Sequence, residues 1–152
     1  MSEYDFEESV GYWLTVTTQA YHRALQNELT PHGITFRQSQ VIGWLMLEVE
    51  MSQADLAARM MIEPPTLVGI LDRMERDGLI IRRHSTVDRR CKLVGLTPTA
   101  VPIWERIIEC LSRIREHAMS GLTAQEQTLL KDLLSRVQYN LLPFVQRPVY
   151  AK

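Results

Sequence analysis

The chain has 152 residues, of which 45% are apolar, and a formal net charge of −1. That is one domain-sized length with enough apolar side chains to build a core, which argues against disorder. No apolar run reaches the ~20 residues a membrane helix needs. The acidic start MSEYDFEES lacks the order of a secretion signal, so a cytoplasmic location with no membrane partner is expected.

Val10, Trp13, Leu14, Thr17, Ala20, Tyr21, Ala24, Leu25 and Leu29 follow the helical i, i+3, i+4, i+7 template and predict a first helix over Val10–Leu29. Thr30-Pro31-His32-Gly33 breaks it. A second helix is expected from a threonine cap at Thr35 to about Leu47, with Ser39, Ile42, Gly43 and Met46 turned inward. Ser52-Gln53-Ala54-Asp55 has the form of an acidic capping box. It opens a short helix, Gln53–Met60, that turns Leu56, Ala57 and Met60 inward. Pro64-Pro65 starts another helix, where a missing N–H costs little. Its Leu67, Ile70, Leu71 and Met74 form one stripe, and Asp77-Gly78 ends it, with glycine suited to the left-handed position.

The texture changes after Gly78. Leu79–Arg83 and Cys91–Leu96 are short runs around a polar turn and read as a β-hairpin. Thr97-Pro98 is expected to cap and open a long helix to about Met119, where Ser120-Gly121 stops it. Thr123-Ala124-Gln125-Glu126 is a full capping box for a last helix to Leu141. Pro143 and Pro148 are expected to mark a loose tail.

Enzyme chemistry finds no support in these residues. Cys91 and Cys110 form no CxxC pair, and His22, His32, His84 and His117 show no metal-ligand spacing. There is no P-loop, no GxGxxG and no GxSxG. Neither a metal nor a cofactor is expected.

The strongest functional signal is charge. From Arg82 to Lys92 the chain carries Arg82, Arg83, Arg89, Arg90 and Lys92 against a single acid, Asp88. Such a cluster can be a solvated turn, a surface for a partner protein, or a finger laid against phosphates. Its position favours the last, because two short helices joined by a tight link precede it directly. A helix that enters a major groove about 12 Å wide must be apolar behind and small or polar in front. The second short helix presents Thr66, Gly69, Arg73 and Arg76, with Pro65 at the entering end. A narrow minor groove concentrates negative potential and draws in arginine, and Arg89 and Arg90 stand where the hairpin turns back.

SQADLAARMMIEPPTLVGILDRMERDGLIIRRHSTVDRRCKLVGLT resembles the DNA-binding core of the MarR family of transcription regulators. LVGILDRMERDGLI and IEPPTLV are similar to its SlyA-like branch. The most specific pieces are Asp88-Arg89-Arg90 and the closing Leu96-Thr97, with Gly78-Leu79 in agreement. The resemblance implies a mainly α fold with a small β-wing. Residues 35–97 would form the winged helix-turn-helix, and 1–34 with 98–152 a helical dimerisation module. It also implies a homodimer on palindromic double-stranded DNA, acting as a repressor or a displacer of silencing proteins. Carried over residue by residue, Arg89 enters the minor groove, and Asp88 and Arg90 brace the wing or touch phosphate. Pro65 and Thr66 sit at the entering end of the recognition helix, Arg73 touches phosphate, and Gln53 is a further phosphate contact.

The sequence also departs from its relatives. Gly69 stands where SlyA-like chains place a base-reading arginine, which shifts specificity toward shape, the wing and thymine methyls. Ala100 replaces a frequent glycine, and Pro102 is unusual inside a helix. The resemblance further implies a small aromatic effector between the two modules, with Trp13, Tyr21, His22 and Trp44 as candidate pocket residues and Trp104 as a further ring. Ordinary packing is the competing reading of those rings, and Gln19 and His22 stand where relatives hold a carboxylate with arginine. Cys91, between Arg90 and Lys92, is the candidate for thiol-based oxidant sensing, against a simple strand residue; Cys110 reads as core. A winged-helix scaffold that binds protein without DNA is the alternative from another class.

Overall fold

Side-chain caps set several of the helix starts, and the elements follow from them. The computed structural model describes residues 7–145. In chain order these form α1 (Val10–Leu29), a 3-10 turn (Thr30–His32), α2 (Phe36–Glu48), β1 (Glu50–Ser52), α3 (Gln53–Met60) and α4 (Pro64–Arg76). β2 (Ile80–His84), β3 (Lys92–Leu96), α5 (Ala100–Ala118) and α6 (Ala124–Val145) complete the order. At α2 the Thr35 hydroxyl accepts from the Gln38 amide at 3.1 Å, and the Gln38 side chain returns a bond to the Thr35 amide at 2.9 Å. At α3 the Ser52 hydroxyl accepts from the Asp55 amide at 3.0 Å and donates to the Asp55 carboxylate at 2.6 Å. Each cap answers amides that the first helical turn leaves without partners. Gly78, at φ 73°, closes α4 in the left-handed region.

One compact unit runs up to Ile114 and a second from Arg115 onward, the division falling inside α5. In the first unit a single core joins Leu25 and Leu29 of α1, Val41, Ile42 and Leu45 of α2, Leu56 of α3, and Leu67, Leu71 and Met74 of α4. Ile80 and Val94 of the sheet and Ile107 and Cys110 of α5 complete it. Trp104 packs over Gly43 of α2, its ring 3.6 Å from where a Cβ would stand, which is ordinary contact distance. In the second unit, α6 begins with the capping box of Thr123 and Glu126 (Thr123 amide to Glu126 carboxylate, 2.7 Å).

Four expectations need correction. The sheet has three strands in the order β1-β3-β2, not two, because Met51 pairs with Val94 and both are buried. On α2 the inward positions are Ser39, Val41, Ile42 and Leu45, while Met46 is 39% exposed; the buried stripe lies about one residue round the helix from the expected one. Thr97 does not cap α5. Its hydroxyl donates to the Gly78 carbonyl at 2.6 Å, tying the end of β3 to the end of α4, and α5 begins only at Ala100. Pro102 therefore lies in the first turn of α5, where a missing N–H has no partner to lose. Finally, α6 continues through Pro143 to Val145; a proline so close to a helix end disturbs only the last turn. Pro148 and residues 1–6 of the acidic start lie outside the described residues.

Candidate nucleic-acid interface

α4 has two unlike faces. Leu67, Ile70, Leu71 and Met74 are all buried and fix the helix on the core. The opposite face carries Pro65, Thr66 and Arg73, all exposed, with the half-exposed Gly69 among them. A Cβ built on Gly69 would meet no atom within 4 Å, so this face is open as well as bare. Arg76, further along, pairs with Asp77 at 3.3 Å.

β2 and β3 pair antiparallel, with Arg82 opposite Val94 and Arg83 opposite Leu93. Successive strand residues point to opposite faces, so Arg82 shares the core-facing side with Ile80 and Arg83 takes the other. The two arginines therefore find different partners. Arg82 reaches α4, its Nη2 donating to Asp72 at 2.7 Å and its Nε to Glu75 at 3.0 Å. This contact holds the Glu75 carboxyl below the usual carboxylate range, chiefly through the hydrogen bond from Arg82, and raises the arginine in turn. Arg83 reaches β1, its Nε and Nη2 making a two-point contact with the Glu50 carboxylate at 2.8 and 2.7 Å. The bridge crosses β3 on the side where Gly95, paired with Glu50 on one flank and Ile81 on the other, offers no side chain.

The turn between the strands is organised by short polar side chains. The Ser85 hydroxyl accepts from the amides of Val87 (3.1 Å) and Asp88 (3.3 Å). The Asp88 carboxylate accepts from the Arg90 amide at 2.9 Å, and the Asp88 carbonyl from the Cys91 amide at 2.9 Å. His84 Nδ1 lies 2.9 Å from the Arg89 carbonyl, and since that oxygen can only accept, Nδ1 is the nitrogen that carries the proton. Asp88 thus spends its carboxylate on the backbone, leaving the arginine heads alone. Arg89, Arg90 and Lys92 are exposed, and they and Arg73 have no ion pair among the described residues.

The remaining candidates lie elsewhere. Gln53, half-buried at the start of α3, has its Oε1 enclosed with no hydrogen-bond partner among the described residues. Of the four pocket candidates, Trp13 is 56% exposed and donates from Nε1 to the Glu7 carbonyl at 2.7 Å. Tyr21 is exposed, His22 packs on Phe36 with ring centres 4.2 Å apart, and Trp44 lies under the Arg59 guanidinium at 5.0 Å. No ring contact among the described residues joins two of the four. Cys91 is half-buried at the root of the turn. Cys110 is buried against α1, its Sγ 3.5 Å from the Glu28 carbonyl, and burial pushes its thiol up. No group of three or more His, Cys, Asp or Glu among the described residues could hold a metal, and no described helix is long and apolar enough to cross a membrane.

Sequence reasoning counted Arg82 and Arg83 with the cations of the turn and assigned no role to Asp72, Glu75 or Glu50. The one available signal was the pair of carboxylates three apart in LDRMERDG, which share a helix face.

Residues 32–90 match the MarR family model. Among solved structures, the chain is similar to BpsR of Bordetella bronchiseptica, whose DNA binding is regulated by 6-hydroxynicotinic acid. The two are 26% identical over 90% of this chain and 98% of that one, with a TM-score of 0.80. The wild-type MarR of E. coli, solved in its apo form, is 25% identical over 85% of this chain and 96% of the other, with a TM-score of 0.75. The PcaV transcriptional regulator of Streptomyces coelicolor, solved with its natural ligand, is 25% identical over 91% and 97%, with a TM-score of 0.77. A helix-turn-helix open on its outer face and a wing cationic at its tip thus lie within or beside the residues, 32–90, that match the MarR family model, and the chain is similar to these regulators over most of its length.

Proposed function

We propose that this chain acts as a cytoplasmic homodimer that grips a palindromic operator, each protomer placing α4 in a major groove and its wing in the flanking minor groove. Two-fold symmetry then sets half-sites roughly 10 base pairs apart, centre to centre. Residues 1–34 and 98–152 would supply the dimerisation module around the winged core of 35–97. Exposed apolar residues on α1 and α6, such as Val10, Trp13, Leu133 and Phe144, support that use of the terminal helices. The phrases LVGILDRMERDGLI and IEPPTLV support a place in the SlyA-like branch.

The observation that carries the DNA reading is the set of cations with no ion pair among the described residues, Arg73 on α4 and Arg89, Arg90 and Lys92 on the wing, beside a recognition face with no bulk at Gly69. Arg89 is assigned to the minor groove and Arg73 and Arg90 to phosphate. Gln53, with its amide oxygen enclosed, would offer its NH₂ outward to a phosphate. Pro65 and Thr66 would lie against base edges or thymine methyls. A bare Gly69 forfeits the bidentate contact to guanine, worth ~1–3 kcal/mol of discrimination, so groove shape and the wing take a larger share. The regulation of BpsR by 6-hydroxynicotinic acid supports a small aromatic effector for this chain too.

Selection from a randomised duplex pool, followed by anisotropy titration at several salt concentrations, tests this. The parent is expected to enrich a palindrome. Arg89→Ala is expected to weaken binding to every duplex and to lower the slope of log K against log salt by about one. A parent that enriches no duplex would return the protein-scaffold reading; an Arg89→Ala protein that binds like its parent would remove the wing from the interface.

A further inference from the structure

We propose that Arg82 is a positioning residue that locks the wing to the recognition helix and holds no phosphate itself; the inference rests on the DNA reading above. Arg82 sits in the most basic stretch of the sequence, yet its side chain is only 18% exposed. It leaves β2 on the side covered by α4, beyond Ile80, which is buried at 1%. Its guanidinium holds two carboxylates of one helix turn, Asp72 and Glu75. To reach a phosphate it would have to break both charge-assisted bonds, which are about twice as strong as neutral ones.

The geometry gives this contact a task. Wing and recognition helix must enter neighbouring grooves together, so the angle between β2 and α4 sets whether Arg89 arrives in register. The chain between them is short, with Asp77-Gly78-Leu79 as the only link. Thr97 ties the same corner through the Gly78 and Leu79 carbonyls, to which its hydroxyl and amide donate. Arg82 adds a contact two residues further out along the wing than Ile80 on that face. A lysine has no planar fork to hold both carboxylates at once, so the role asks for arginine.

The test compares Arg82→Ala, Arg82→Lys, the double variant Asp72→Asn with Glu75→Gln, and Arg89→Ala as reference. Each is titrated against the selected palindrome and a scrambled duplex over a range of salt, with thermal unfolding run alongside. Arg82→Ala is expected to lose part of the preference for the palindrome while its salt slope stays that of the parent. Arg89→Ala drops in slope by about one. The double variant keeps the arginine but frees it, and it too is expected to lose preference. If Arg82 were a phosphate contact, freeing it would steepen the slope and spare the preference, and Arg82→Ala would flatten the slope by about one; either result overturns the inference. Arg82→Lys keeps charge and stem and is expected to fall between parent and Arg82→Ala in preference at an unchanged slope, which carries the test if the alanine variant does not fold. A parent that selects no duplex would instead sink the DNA reading, and this inference with it.

Discussion

The root and the tip of the wing carry the same residue type and use it in opposite ways. At the root, Arg82 and Arg83 are tied to carboxylates from α4 and β1. At the tip, Arg89 and Arg90 have no ion pair among the described residues, and the one nearby acid, Asp88, is occupied with the backbone. A count of cations along the chain cannot separate the two. What separates them is whether the fold brings a carboxylate to the guanidinium. The root is cross-linked to the fold, and the tip keeps its cations outside any ion pair among the described residues.

The hardest way to break this contrast is from beneath. Leu71 is completely buried on the back of α4, one position before Asp72. Leu71→Ala is expected to cost ~2–5 kcal/mol of unfolding free energy, through lost transfer energy and the cavity left behind. Urea unfolding read by circular dichroism measures it. Arg89→Ala in the same assay is expected to stay within ~0.5 kcal/mol of the parent. Comparable losses in the two variants would mean that the tip, too, is structural.

A smaller effect of opposite sign is expected at Gly69. Glycine inside a helix is less favourable than alanine by ~0.8–1.0 kcal/mol, and a Cβ there meets nothing within 4 Å. Gly69→Ala should therefore stabilise the protein by about that amount, read as a higher urea midpoint at unchanged slope. Gly69→Arg should move base preference toward guanine at one operator position more than it changes overall affinity. An unaltered preference would mean that this face does not meet bases.

Much of this arrangement was legible where the cause is local. The caps at Thr35, Ser52 and Thr123, the left-handed Gly78 and the apolar stripe of α4 each depend on residues within a turn or two. β1 was hidden because three residues, Glu50-Met51-Ser52, carry no periodicity, and only the pairing of Met51 with Val94 makes them a strand. Thr97 looked like a cap because threonine before proline usually is one; its hydroxyl instead found the Gly78 carbonyl, 19 residues back. The split between root and tip was unreadable for the same reason. Asp72 and Glu75 precede Arg82 by ten and seven positions, and Glu50 precedes Arg83 by 33. The DRR motif pointed to the tip, where local turn chemistry suffices; the root needed tertiary contacts.

The mildest way to sharpen the contrast is acid. Arg82 holds the Glu75 carboxyl below its ordinary range, so the folded state binds that proton more weakly than the unfolded chain. The stability Glu75 contributes is therefore present above its unfolded pKa and is lost as pH falls through the lower folded value. The step should be small, because the Glu75 side chain is 40% exposed and an exposed ion pair is screened. Thermal unfolding of parent and Glu75→Gln from neutral pH downward should show two curves that are separated at neutral pH and converge below the carboxylate range. The same titration of Arg89→Ala against its parent should show no such convergence, since that guanidinium has no carboxylate partner among the described residues to lose. Parallel curves for Glu75→Gln would mean that the root contact contributes nothing to folding, leaving the placing of the wing as its only task.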